Sequence, residues 1–179
     1  MRKLLLSAIV IAMYFTTYSQ ATLYIGSKEY NTTGWYFLNA GKYHSYEFMG
    51  STDISIAKTK SGGGLLVISL KTGYSQDYIN GPIYIYLINE KPITLNTRYS
   101  KDFSDETSTS TFPLTAIQVN ILKRANISAI RYSLYSNIGN YKTNSITAEN
   151  RINKSYQPGV YDDGTNFTIA DIITLYNDF

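Results

Sequence analysis

The sequence contains no cysteine. Without a thiol, the chain cannot form disulfides, ligate zinc through cysteine, use a cysteine nucleophile or carry a lipid on a cysteine. Histidine is scarce too, since His44 is the only one. One histidine cannot build the usual multi-histidine metal site. A Ser-His-Asp triad would have to use it, yet the chain has no Gly-x-Ser-x-Gly motif. We expect His44 to be a partly solvated strand residue, and we expect no cofactor.

Long apolar runs are missing except at the N-terminus. Arg2 and Lys3 precede an apolar run at residues 4–14, and Ser19 and Ala21 have the spacing that a signal peptidase reads. The run is shorter than the ~20 residues that cross a bilayer. The pattern predicts a signal peptide over residues 1–21 and favours it over a buried N-terminal helix. The rest of the chain is then expected to be exported, secreted or periplasmic, without a membrane span.

Charge of either sign is also low. The chain has 16 Lys and Arg against 13 Asp and Glu, a net charge of +3. Without Arg2 and Lys3 the balance is 14 against 13, or +1. No basic stripe of the kind that binds nucleic acid is present, so we expect no nucleic-acid partner. Residues 22–179 are enough for one domain that buries about two-thirds of its unfolded surface.

The first half of that domain has the pattern of short strands separated by turns. Residues 65–70 and 82–88 are apolar on both faces, which is typical of central strands in a covered sheet. Pro92 cannot donate to a strand ladder and is expected at a turn or on an edge. Residues 100–111 are polar and are predicted to form a loop leading into the next element.

The second half adds two predicted helices. Residues 113–126 have Thr115 as a candidate N-cap, and the final helix begins at Thr168, with Asp171 at capping-box spacing. Each has an apolar stripe, formed by Ile117, Ile121, Leu122 and Ala125 in the first and by Ile169, Ile172, Ile173 and Tyr176 in the second.

Between the two helices, residues 128–135 alternate as a strand, and residues 136–166 are polar with little period. The order of elements predicts an α+β fold: a single domain with a mainly antiparallel β-sheet and two amphipathic helices in the C-terminal half.

Catalytic and metal motifs are weak. Paired carboxylates could hydrolyse a glycoside, but no spacing distinguishes a pair among Glu47, Asp53, Asp77, Asp105, Glu106, Asp162 and Asp163. Residues 162–166 resemble a calcium loop only faintly, because the regular ligand spacing and the distal glutamate are missing. The glycine run at residues 62–64 precedes a predicted strand, so it indicates a turn and not a phosphate-binding loop.

Tyrosine is the abundant residue, with 18 copies beside seven Phe and one Trp. Its ring offers a flat apolar face with a polar edge, which suits contacts with glycans and with proteins alike. Strand preference alone could also account for the number. The candidates for a ligand-binding set are Trp35, Tyr84, Tyr86, Tyr141, Tyr156 and Tyr161.

Four segments resemble a group of small exported bacterial proteins that has no assigned activity. These are the glycine turn and strand at residues 62–70, the strand at 81–87, the Asp-rich segment at 102–106, and the helix and strand at 114–134, which ends in Ile-x-x-Ile-Arg-Tyr. The resemblance implies one exported α+β domain and assigns no site residues.

The sequence therefore favours a non-enzymatic binding domain, at the cell envelope or outside, whose protein or glycan partner is unknown. Two alternatives stay open. One is a carboxylate-dependent glycan hydrolase, which needs a cleft with converging acids. The other is a self-associating or adhesive surface component, which would use its tyrosines to bind its own copies.

Overall fold

The fold is taken from a computed structural model that describes residues 21–42, 49–72, 77–135, 145–153, 163–164 and 168–177. Apart from Ala21, which opens the first strand, the predicted signal peptide lies outside the described residues. The strands are β1 Ala21–Ile25, β2 Lys28–Thr32, β3 Tyr36–Lys42, β4 Met49–Lys58, β5 Gly64–Lys71, β6 Tyr78–Ile79, β7 Ile83–Leu87, β8 Glu90–Leu95, β9 Ser100–Ser104, β10 Thr107–Leu114, β11 Ile127–Tyr132, β12 Leu134–Tyr135, β13 Ile146–Glu149, β14 Ile152–Asn153 and β15 Asp163–Gly164. The helices are α1 Ala116–Leu122 and α2 Thr168–Asn177.

One large antiparallel sheet dominates the described part of the chain. Its order is β8-β7-β11-β13-β3-β4-β5-β10-β9, and the β1–β2 hairpin joins it where β2 meets β4. Two short pairs, β6 with β12 and β14 with β15, complete the strands. The α+β prediction with a mainly antiparallel sheet is confirmed at this level.

The hydrophobic core lies on one face of the sheet, which we call the inner face. Side chains from both helices belong to the same buried cluster as Ile83, Ile85 and Leu87 of β7. The helical members of that cluster are Val119, Leu122, Ile172 and Leu175.

Among the described residues, the β1–β2 hairpin covers one corner of the opposite, outer face. There the β1–β2 hairpin places Leu23, Ile25 and Tyr30 against Leu65 and Val67 of β5. Strand β5 is therefore buried on both faces, as its apolar sequence predicts. The same prediction is wrong for β7, because Tyr84, on the face opposite Ile83 and Ile85, is 38% exposed.

Residues 100–111 form no loop. They belong to the β9–β10 hairpin, in which Asp105 and Glu106 make the turn with φ of 50° and 61°. The polar sequence is compatible with a buried strand because hydroxyl groups find partners: the Ser110 side chain donates to the Ile79 carbonyl at 3.2 Å and is 1% exposed.

The connection between β7 and β8 is only two residues long. Asn89 takes φ of 61° and β8 begins at Glu90. Pro92 therefore lies within a strand at the edge of the sheet, one of the two positions expected for it.

The first helix is shorter than predicted. Residues 113 and 114 end β10, and α1 covers only seven residues. Thr115 is its N-cap, as the sequence indicates, and the structure adds a capping box with Gln118. The predicted stripe is wrong at Ile117, which is 74% exposed, and it omits Val119, which is buried. At 100° per residue these two side chains point to opposite sides of the helix.

The second helix, α2, covers ten residues, Thr168–Asn177. Its predicted apolar stripe is wrong at Ile173, which is 37% exposed, and it omits Leu175, which is buried. Both residues of the predicted capping box contact other elements of the fold. The Thr168 hydroxyl accepts the Ile127 N–H at 3.2 Å, and the Asp171 carboxylate accepts the Tyr36 hydroxyl at 2.9 Å.

The polar stretch at residues 136–166 is not uniformly irregular. Strand β13 lies inside the large sheet between β11 and β3, with Ile146 and Ala148 buried. Residues 136–144, 154–162 and 165–167 lie outside the described residues, as do residues 43–48, where a further strand was predicted.

Candidate functional site

The candidate site is built on the outer face of β7. Strand alternation sends Ile83, Ile85 and Leu87 into the core and sends Tyr84 and Tyr86 to the opposite face. Tyr84 is exposed and Tyr86 is partly buried. In the part of the chain that the structure describes, the helices pack on the isoleucine side, and the two tyrosines lie on the outer face.

Neighbouring strands extend this surface. Tyr84 lies directly opposite Arg131 of β11, which in turn lies opposite Thr147 of β13. Directly opposite residues in an antiparallel pair have Cβ atoms about 5 Å apart. A ring, a guanidinium and a hydroxyl therefore form one row across three strands.

A second row runs parallel to the first. Tyr86 lies opposite Ala129, and Ala129 lies opposite Glu149, which pairs in turn with Asn39 of β3. The small side chain of Ala129 leaves a depression between Tyr86 and Glu149. We call the two rows together the tyrosine face: Tyr84, Tyr86, Ala129, Arg131, Thr147 and Glu149.

The depression is part of a groove of about 510 Å³. Tyr86 and Ile88 form one wall, Glu149 and Arg151 form the other, and Ser128 lies between them. The Arg151 Nε atom donates to the Glu149 Oε2 atom at 3.0 Å, with both side chains well exposed. The groove thus has an aromatic and aliphatic side and a charged side, at a volume typical of ligand sites.

A β-bulge shapes the groove floor. Between Leu87 and Tyr86 the partner strand advances by two residues, from Ile127 to Ala129, so Ser128 is the extra residue. Bulges re-aim side chains and occur often at the margins of functional sites.

Polar side chains behind the groove hold the bulge in place. Buried Asn150 donates from its side chain to the Ile127 carbonyl at 2.6 Å, and its N–H donates to the Ser128 carbonyl at 2.8 Å. Asn126 accepts the Ile169 N–H at 3.2 Å, at the start of α2. Together with the bond from Ile127 to Thr168, these contacts connect the groove floor to α2.

Two tyrosines that pack on the inner face of the sheet have a raised pKa. Burial raises the pKa of Tyr36 above its ordinary value, and the hydrogen bond to Asp171 raises it further. Burial also raises the pKa of Tyr176, whose hydroxyl donates to the Gly63 carbonyl at 2.8 Å. Both rings therefore serve packing and remain protonated at neutral pH.

A second aromatic cluster lies at the short β6–β12 pair. The rings of Tyr78 and Tyr135 stack with centroids 6.2 Å apart. The Lys101 ammonium lies 3.8 Å and the Arg98 guanidinium 4.7 Å from the Tyr78 ring centroid. These cation–π contacts connect the β6–β12 pair to the β9 end of the large sheet.

The predicted binding residues do not form one set. Tyr84 and Tyr86 lie together on the tyrosine face. Trp35, 39% exposed, precedes β3 and lines neither wall of the groove. The other three predicted residues, Tyr141, Tyr156 and Tyr161, lie outside the described residues.

The candidate acids are spread over the fold. Asp53 lies on β4, Asp77 is buried beside β6, and Asp105 and Glu106 form the β9–β10 turn. Glu47, Asp162 and His44 fall outside the described residues, and Asp163 is described only by its backbone. Among the residues that the structure describes, no three His, Cys, Asp or Glu side chains are grouped as metal ligands would be.

The sequence interpretation missed the partners of the tyrosines, which are Ser128, Arg131, Thr147, Glu149 and Arg151. The sequence does carry a signal for the exposure of some of these residues. In Ile-Thr-Ala-Glu at residues 146–149 the polar residues alternate with apolar ones, as they do around Arg131. What alternation does not reveal is which strands become neighbours.

Comparison with family models, with curated proteins and with solved structures finds no match for this chain. The resemblance to small exported bacterial proteins therefore stays a prediction. Within the described ranges, no helix has both the length and the apolar character needed to span a membrane.

Proposed function

We propose that this chain is an exported, non-enzymatic interaction domain that binds a protein partner at the cell envelope or outside through its tyrosine face. The observation that carries the proposal is the orientation of the β7 side chains. Among the described residues, the helices and the core occupy its isoleucine side, and Tyr84 and Tyr86 lie on the opposite side.

The chemistry of the tyrosine face supports a protein partner. Tyrosine and arginine are the residue types that contribute most often to binding energy at protein interfaces. Here Tyr84 lies opposite Arg131, while Tyr86 and Arg151 line facing walls of the groove. Flat rings at low entropic cost provide contact area, and the two guanidinium groups provide directional hydrogen bonds.

The support behind this face also suits binding. Its strands belong to the large sheet, and the two helices, expected to be amphipathic, lie over the opposite side. The rings therefore project from a preorganised platform, and a partner would not have to order them at a large entropic cost.

The test compares two double variants in partner capture. The Tyr84→Ala/Tyr86→Ala variant removes both rings of the face, and Tyr24→Ala/Tyr99→Ala removes two rings that are 68% and 55% exposed elsewhere. Each protein is incubated with the native envelope and culture fluid, and bound proteins are cross-linked and identified. The face variant should lose the partner that wild type and control variant retain.

Equal capture by a correctly folded face variant would exclude the tyrosine face as the binding surface. Circular dichroism and urea unfolding check that both variants fold. Sedimentation of the purified protein tests the self-associating alternative: a dimer that the face variant cannot form would make a second copy the partner.

A further inference from the structure

A second cleft shares no lining residue with the groove of the tyrosine face and lies between two hairpins. It has a volume of about 790 Å³ and is bounded by residues 28–31 of β2 and by residues 58–61, where β4 turns toward β5. The volume is in the range that ligand sites occupy.

Positive charge is concentrated around this cleft. Its lining includes Lys28, Lys58 and Lys60 against one acid, Glu29, so its local charge is +2. The chain without its predicted signal peptide has only +1 in total. The Lys58 ammonium lies 5.8 Å from the Tyr176 ring centroid, which leaves Lys28 and Lys60 as the exposed lysines of the lining.

Neutral hydrogen-bonding groups lie between the lysines. Thr59 and Ser61 carry hydroxyls with their oxygens 3.2 Å apart, Asn31 supplies an amide, and Tyr30 supplies a partly buried ring. The hydroxyl and amide groups can donate to an anion and can also bind neutral hydroxyls. A ligand with both anionic groups and hydroxyls would use the whole lining.

We propose that this cleft binds an acidic oligosaccharide, with sugar carboxylates at the lysines and sugar hydroxyls at the Thr59, Ser61 and Asn31 side chains. The backbone turn gives the cleft a defined shape. Gly62 takes φ of 78°, its N–H donates to the Thr59 carbonyl at 3.1 Å, and the Thr59 N–H donates to the Gly63 carbonyl at 3.1 Å. Lys60 and Ser61 are therefore carried on a closed turn.

The ligand would be held mainly by charge at an exposed site, so its affinity should fall as the salt concentration rises. Ammonium–carboxylate contacts of this kind weaken as added salt shortens the screening length. Binding should therefore fall steeply with sodium chloride, whereas a neutral oligosaccharide of the same length should bind weakly at any salt concentration.

The experiment measures binding of a short oligogalacturonate to the purified full chain by calorimetry, with the neutral galactose oligomer as the comparison ligand. The variant is Lys28→Gln/Lys60→Gln, because both side chains are exposed. The control is Lys71→Gln/Lys91→Gln, which removes the same charge from exposed positions outside the cleft. We expect the first variant to raise Kd on the order of tenfold and the control to leave it within about twofold.

Two results would overturn the proposal: no saturable binding of the acidic oligomer, or an equal loss in both variants, which would indicate nonspecific attraction. A third arm uses vesicles with anionic phospholipid. Binding to vesicles without binding to the oligomer would replace the saccharide with a membrane surface. All arms are independent of Tyr84 and Tyr86, so the proposed protein interaction can fail while this site stands, and the reverse.

Discussion

The hydroxyl of Tyr36 on β3 donates a hydrogen bond of 2.9 Å to the Asp171 carboxylate on α2. This contact joins the sheet to the last helix across the inner face, between residues far apart in sequence. It also places a nearly buried phenol, 5% exposed, beside a carboxylate. Both surroundings oppose ionisation of the phenol, so its pKa is raised.

The raised pKa of Tyr36 predicts a loss of stability in alkali. Above about pH 10 the unfolded chain gives up this proton while the folded protein retains it. The stabilisation from Tyr36 is therefore fully present below about pH 10. Above that pH the free energy of unfolding falls by up to about 1.4 kcal/mol per pH unit. Burial of Tyr176 adds a loss in the same direction.

Urea unfolding of wild type and Tyr36→Phe, at about pH 9 and about pH 11, measures this effect. Tyr36→Phe should be less stable by about 1 kcal/mol at the lower pH, where it lacks the hydrogen bond. That difference should shrink or reverse at the higher pH. The Tyr24→Phe variant, altered at a 68% exposed ring, should follow wild type at both. A difference that is independent of pH would contradict the assignment.

Asn150 is predicted to be essential to the groove floor. Its side chain donates to the Ile127 carbonyl at 2.6 Å in a buried setting, so Asn150→Ala leaves that carbonyl without this donor. The expected loss in free energy of unfolding is about 1–3 kcal/mol. Asn120→Ala, at an exposed position of α1, should change it by less than about 0.5 kcal/mol. Denaturant titrations compare the two; equal midpoints would show that the amide does not hold the bulge.

Gly64 is predicted to tolerate no side chain. A Cβ there would lie 2.5 Å from the Tyr176 hydroxyl and 2.9 Å from the Ala57 carbonyl oxygen. We expect Gly64→Ala to cost about 1–3 kcal/mol through overpacking. At Gly34 an added Cβ has no neighbour within 4 Å, so Gly34→Ala should be neutral or stabilising by up to about 1 kcal/mol. Thermal unfolding checks the contrast, and an unchanged Tm for Gly64→Ala would show that α2 can shift away.

The sequence indicates which face of a strand each side chain occupies, but it does not indicate which strands lie next to each other in the sheet. Alternation in β7 correctly separates Ile85 from Tyr84, because side chains in a strand alternate whatever the strand pairs with. The groove depends instead on β7 pairing with β11, about forty residues later in the chain, and on the extra residue Ser128. Neither the pairing nor the bulge leaves a periodic signal.

The missed hairpin and the shortened helix have separate causes. Asp105 is a residue type that tolerates positive φ, but Glu106 takes φ of 61° at the position where the common hairpin turns have glycine, so the turn lacks the Asp-Gly or Asn-Gly signature. At α1 the spacing rule selects Ile117, yet a seven-residue helix can bury only the side that meets the core. That side carries Val119 and Leu122.

The Arg151–Glu149 pair gives the sharpest test of whether the groove is a binding surface or only part of the scaffold. The two side chains are 74% and 50% exposed, and exposed ion pairs contribute little to stability. Arg151→Gln should therefore change the free energy of unfolding by less than about 1 kcal/mol, as should Arg124→Gln at another exposed position. In the cross-linking assay, however, Arg151→Gln should weaken capture of the partner and Arg124→Gln should not. If Arg151→Gln instead destabilises the fold and leaves capture intact, the charged wall of the groove is structural and the partner contacts only the tyrosines.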